Sequence, residues 1–159
     1  MEQMERLSNM EVLTLGSYKE ELSRGLKGLT AKISWLQTKE VKVAQEVVKV
    51  VETMIKIVGK DATADELTNL SRIDRLKVAN ETNKTVEEIA IMIAQVQNMD
   101  LMQRTLRKRR LEGKPIPPDQ ASLQTVIKKD AREVMSKMQK DQLKKRQMAV
   151  ARTVARRKR

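Results

Sequence analysis

Residues 77–106 read KVANETNKTVEEIAIMIAQVQNMDLMQRTL, and this stretch decides the fold class. Thr85 followed three residues later by Glu88 makes a capping box, in which the hydroxyl takes one orphan amide of a helix start and the carboxylate takes another. From there Val86, Ile89, Ile93, Val96, Met99 and Leu106 line one side of a long helix. Upstream, Ser71 with Asp74 resembles a second box, ahead of a helix carrying Ile73, Leu76 and Ala79. Thr63 with Glu66 opens a short helix over 64–70. Val41, Ala44, Val48, Val51, Ile55 and Val58, with Val47, Val50, Met54 and Ile57 beside them, form a wide apolar helical face. The VKV and IKI runs there also suit a strand. Gly59 stands where a left-handed C-cap would end that helix. Met4, Leu7, Met10 and Leu13 step at helical spacing, and Ser17 with Glu20 predicts another start, of a helix running to about Gly25–Gly28.

Downstream, Gly113 ends the long helix, and Lys114-Pro-Ile-Pro-Pro118 reads as extended linker. Ile127, Ala131, Val134 and Met138 then resume helical spacing. Proline is absent from residues 1–114 and strand punctuation is scarce. The expected fold is all-α: a small helical bundle over residues 1–113, a Pro-rich linker over 114–118, and a basic helical arm over 119–159.

Composition narrows the function. The chain has 159 residues, enough for one domain with a real core, and contains no Cys, no His and no Phe, one Trp (Trp35) and one Tyr (Tyr18). A disulfide scaffold, a zinc finger and a thiol or imidazole nucleophile are excluded. So is an aromatic platform for stacking bases. The expectation is a protein that is not an enzyme, with no cofactor, no metal and no small-molecule substrate. No stretch approaches the roughly 18 apolar residues of a membrane span. Glu2 and Glu5 near the start do not fit a secretory or organelle leader.

Charge points to the partner. Lys and Arg number 33 against 21 Asp and Glu, a net of +12. Residues 1–103 carry 14 basic and 16 acidic side chains, whereas residues 104–159 carry 19 and 5. A near-neutral body with so basic an end suits a polyanion. Arg104, Arg107, Lys108, Arg109 and Arg110 crowd the end of the long helix, where the helix dipole alone would favour some cations. Lys128 and Lys129, then Lys144, Lys145 and Arg146, then Arg152, Arg156, Arg157, Lys158 and Arg159 complete the candidate RNA-binding set. Residues 142–159 contain no acid. Such an arm repels itself unless dense negative charge covers it, and its terminal arginines suit phosphate forks. An anionic membrane surface competes as partner, but Met148, Val150 and Val154 are its only insertion anchors.

Residues 72–96 have the outline of a helix-turn-helix, with a tight polar turn at Asn80–Lys84. An ordinary helical hairpin in a bundle has the same outline. Lys77, Val78 and Ala79, then Thr85, Val86, Glu87, Glu88 and Ile89, then Gln95, Met99 and Met102, together resemble the M domain of the signal-sequence-binding GTPase subunit of the signal recognition particle. VVETMIKIVGKDATADEL at 50–67 is similar to that family's preceding helix. The resemblance covers residues 50–110 and is strongest over 77–106. It implies a helical domain that binds RNA and signal sequences. In that family turn glycines and nearby arginines meet RNA; here the turn holds Glu81, Thr82 and Asn83, leaving Arg72, Arg75 and Lys77 as weaker contacts. No phosphate-cradling Gly-rich loop of a GTPase occurs in this sequence. The ten methionines are scattered, and such spacing more often means plain core than a peptide groove.

The expected function is a non-enzymatic RNA-binding subunit of a large ribonucleoprotein. A ribosomal protein on an M-domain scaffold fits best, contacting rRNA through the basic arm and having neighbouring subunits as further partners, with the mitochondrial matrix as location and the cytosol as alternative. The alternatives are a signal-peptide-binding or targeting factor and, third, a helix-turn-helix DNA-binding protein. The second helix of that motif begins Val86-Glu87-Glu88, which repels phosphate.

Overall fold

The computed structural model describes residues 2–32 and 39–157, and every regular element within them is a helix. Trp35, Lys158 and Arg159 lie outside these residues. In chain order the helices are α1 (Glu2–Asn9), α2 (Leu15–Lys32), α3 (Lys39–Val58), α4 (Ala64–Thr68), α5 (Arg72–Thr82), α6 (Val86–Leu111), α7 (Gln120–Val134) and α8 (Lys137–Arg157). The fold is a small helical bundle, with no strand among the described residues.

Helix α6 is the spine, and two apolar clusters form along it. Toward its start, Ile89, Ile93 and Val96 meet Val50, Val51 and Met54 of α3, Leu15 and Tyr18 of α2, and Val78 and Ala79 of α5. Toward its end, Leu106 meets Met4, Leu7, Leu13 and Leu123. Met99 packs against both clusters. The strand option for the Val-rich segment fails: residues 39–58 form α3, which buries Val50, Val51 and Met54 in the first cluster and packs Ile55, Ile57 and Val58 against it.

Local chemistry sets the boundaries. Thr63 and Thr85 each form the complete capping box with Glu66 and Glu88. At Ser71 the hydroxyl accepts from the Asp74 amide, but it donates its own proton to the Asp74 carboxylate, so the box is half-made. Gly59 (φ 92°) and Gly113 (φ 67°) take the left-handed conformation just past α3 and α6.

The box at Ser17 and Glu20 is not formed. Thr14 caps α2 instead, its Oγ1 accepting from the Ser17 amide at 3.2 Å, so the helix begins three residues earlier. That early start is fixed by the loop after α3: the Leu15 amide donates to Ala62 O and the Gly16 amide to Lys60 O, both at 2.8 Å. A Cβ on Gly16 would lie 3.2 Å from Lys60 O, which is why glycine serves there. Helix α2 also continues past Gly25 and Gly28 to Lys32.

Two further differences bear on function. Helix α5 runs to Thr82, so Glu81 is helical and the turn shrinks to Asn83, Lys84 and Thr85; Asn83 takes the left-handed conformation (φ 53°) that a glycine would otherwise supply. The arm does not begin at residue 119. Leu123 is fully buried in the second cluster, and Ile116 and Ile127 pack on it, so the Pro-rich segment and α7 belong to the body. Burying a leucine is worth about 1.5–3 kcal/mol, enough to hold a short helix down.

Candidate nucleic-acid interface

The helix that carries most of the terminal charge is rooted by a buried polar network. The α7–α8 break falls at Met135 and Ser136. Ser136 Oγ accepts from the Gln139 amide at 3.2 Å, and the Ser136 amide donates to Gln139 Oε1 at 2.9 Å, a capping box with glutamine in the acid's place. Gln139 Nε2 then donates to Gln97 Oε1 at 2.8 Å and to Asp100 Oδ2 at 3.0 Å. Gln97 Nε2 in turn donates to Ala64 O and Thr68 Oγ1 of α4 at 2.8 and 2.7 Å. Ser136 Oγ reaches Asp65 Oδ1 at 3.1 Å. Three helices meet in this network, and Gln97, Asp100 and Gln139 are all buried. Burial pushes the Asp100 carboxyl above the ordinary carboxylate range, against the pull of Arg104 and Gln139.

Beyond Leu143 the same helix leaves the body. Every side chain from Lys144 to Arg157 is exposed. Lys144, Lys145, Arg146, Arg152, Arg156 and Arg157 make no ion pair among the described residues. Lys145, Arg152 and Arg156 fall on one stripe of α8. Lys128 and Lys129 are exposed on α7 and likewise unpaired.

The cluster at the end of α6 is placed differently from what its charge suggests. Arg104 Nε binds Asp100 at 2.8 Å. Arg107 donates to Met10 O at 3.1 Å, beside Gln103, which donates to the same carbonyl at 2.7 Å. Lys108 binds Glu133 of α7, with Glu112 at 3.6 Å. Arg109 is half-buried and holds Asp130 of α7 at 2.9 Å and Pro115 O at 3.2 Å. Only Arg110 is exposed and without such a contact among the described residues. These cations tie α6 to the turn after α1 and to α7.

The weaker candidates on α5 divide similarly. Arg75 donates to Thr68 O at 2.7 Å and Leu70 O at 3.2 Å, closing the end of α4. Lys77 lies 3.6 Å from Asp74. Arg72 is exposed, next to Ile73 and Leu76, which are also exposed. The neighbouring Glu81, Glu87 and Glu88 are all on the surface. Among the described residues no group of three acidic side chains is placed to hold a metal ion. No helix there is long and apolar enough to cross a membrane.

No protein family, curated protein or solved structure matches this chain.

Proposed function

We propose that this protein is a non-enzymatic RNA-binding subunit of a large ribonucleoprotein, and that the projecting part of α8 is its RNA contact. One observation carries the reading: six exposed cations between Lys144 and Arg157 have no acidic partner among the described residues, on a helix whose root is fixed to the body. A rigid root with an uncovered cationic end gives a phosphate track a defined position, which phosphate contacts require if they are to set register. Lys128 and Lys129 extend the basic surface. The free cations sit mostly in α8, and the cluster at 104–110 contributes stability.

Within that class we favour a ribosomal protein on rRNA, with its body against neighbouring subunits and the mitochondrial matrix as its location. The support is the M-domain resemblance together with a turn that has lost the glycines a family-like RNA contact uses. A second reading, binding of a signal peptide, is favoured by a different feature: a groove of about 630 Å³ lined by Leu22, Val43, Ala44 and Val47. A DNA-reading role for α6 is opposed by exposed Glu87 and Glu88 at its start.

The test compares the full chain with one ending after Leu143. The shorter chain keeps Ser136 and Gln139, with their bonds to Gln97 and Asp100, and both apolar clusters. Its RNA affinity at physiological salt should fall steeply and its salt dependence should flatten. Equal binding by the two chains would refute the arm as the contact. Co-sedimentation of the tagged protein with ribosomal subunits, and sequencing of crosslinked RNA, tests the narrower assignment.

A further inference from the structure

The root of α8 forms one wall of a cleft whose other walls are α6 and the end of α4. The cleft encloses about 270 Å³, just under the roughly 300–1,000 Å³ of pockets for drug-sized ligands, so it suits a single small ring system. Ile93, Ala94, Leu101 and Leu143 give it apolar walls. Its polar groups fall into two kinds. Gln97 Nε2 is already engaged by Ala64 O and Thr68 Oγ1, and Arg75 is tied down through Nε to Leu70 O and through one terminal nitrogen to Thr68 O. Asn98, Gln142 and Arg146 also line it, and their side chains make no hydrogen bond among the described residues.

We propose that this cleft takes one unstacked RNA base, with Asn98 and Gln142 pairing to the base edge and Arg146 holding the adjoining phosphate. This rests on the RNA reading of α8 and names what lies at the root of the arm. A carboxamide carries both a donor and an acceptor, the combination that matches base edges. The aliphatic walls cover the base faces, and a guanidinium plane can stack on them or fork to phosphate. Arg157, eleven residues beyond Arg146, falls on the same stripe of α8, and Lys145 lies one stripe over, so the backbone of the same RNA strand leaves the cleft along the free cations of α8. The base must come from a single-stranded segment, loop or bulge, because a base inside a duplex is already stacked and paired.

The experiment uses the full chain with single-stranded and duplex RNA of equal length, the single strand carrying one 2-aminopurine. The single strand should bind about tenfold tighter at equal salt, the size of one good edge-on pair. Fluorescence of 2-aminopurine should rise on binding as that base unstacks. The double variant Asn98→Ala, Gln142→Ala should lose the preference and the fluorescence rise while keeping duplex affinity and salt slope. Ala94→Leu, which fills the cleft and leaves the amides in place, should do the same. If RNA bound with a steep salt slope but no preference, and both variants behaved as wild type, the cleft proposal would fall and the arm would stand. If no RNA bound, both would fall. A mononucleotide binding as tightly as the oligonucleotide would make the cleft a metabolite site and overturn the proposal.

Discussion

The side-chain amide of Gln139, in the first turn of α8, donates to Gln97 Oε1 in the middle of α6 at 2.8 Å, and both residues are buried. Gln139 uses all of its polar atoms: Oε1 caps its own helix, and Nε2 joins Gln97 and Asp100. Gln139→Ala therefore strands a buried acceptor on Gln97 and an amide at Ser136. The expected cost is about 1–3 kcal/mol, the range for a buried group left unsatisfied. Paired with Gln97→Ala it should be non-additive in a double-mutant cycle, because the partners share one bond. Hydrogen exchange should quicken in residues 137–143 before the rest of the body. Unchanged exchange there would show that apolar contact alone roots α8.

Asp100 gives the network a pH dependence of defined sign. Its folded-state carboxyl is raised by burial, so the native protein holds this proton more tightly than the unfolded chain. The contribution to stability is thus fully present below the ordinary aspartate value and is lost as pH rises through the raised one. Asp100→Asn removes the titration and keeps an oxygen for Arg104 and Gln139. Chemical denaturation from pH 7 down to pH 4 should show the wild type gaining stability relative to Asp100→Asn as pH falls. A gap that widens in the opposite direction would mean that the Arg104 pair, not burial, sets the behaviour.

Much of this fold was legible because helix starts are written in short local patterns. Thr63 with Glu66 and Thr85 with Glu88 needed only the right spacing. Ser17 with Glu20 had that spacing and failed, because Thr14 was already held beside Thr63 by the loop pairing of Leu15 and Gly16, a tertiary contact that sequence does not show. Ser136 with Gln139 is the same motif with glutamine and could have been found; it also marks the break that separates Val134 from Met138. Ile93, Gln97, Asp100 and Arg104 step by four, three and four, so a polar stripe continuing an apolar one was the available signal for the network. What could not be read was partnership. Arg107, Lys108 and Arg109 look like an RNA patch until Met10, Glu133 and Asp130 are folded against them.

The box at Thr85 makes a local prediction. Glu88 N donates to Thr85 Oγ1 at 3.1 Å and Thr85 N donates to Glu88 Oε2 at 2.7 Å. Thr85→Ala should destabilise the protein by about 0.5–2 kcal/mol, and Glu88→Ala by less. The double variant should lose less than the sum of the two single losses in denaturant titrations, since either change opens the shared box. Full additivity would show that the reciprocal bonds are not coupled in solution.

The division of labour among the basic residues yields the sharpest test. Counting charges alone, neutralising Arg107, Lys108, Arg109 and Arg110 should shift the salt slope of RNA binding by about 3 units, at nearly one counterion per phosphate contact. The contacts say otherwise. Three of these four side chains already bind Met10 O, Glu133 and Asp130, and pairing with RNA would mean giving those partners up. Only Arg110 is available, so the expected change is under about 1 unit. Stability should fall instead, because the half-buried Arg109 leaves Asp130 unpaired and α7 loses a tie to α6. Neutralising Lys144, Lys145, Arg152 and Arg156 should do the reverse: a slope change of about 3 units with the melting temperature held. The measurement is log affinity against log salt beside thermal unfolding for both variants. A large slope change in the 107–110 variant with stability intact would return the RNA site to the end of α6. It would also mean that the ion pairs to α7 open on binding, freeing that helix to move with the arm.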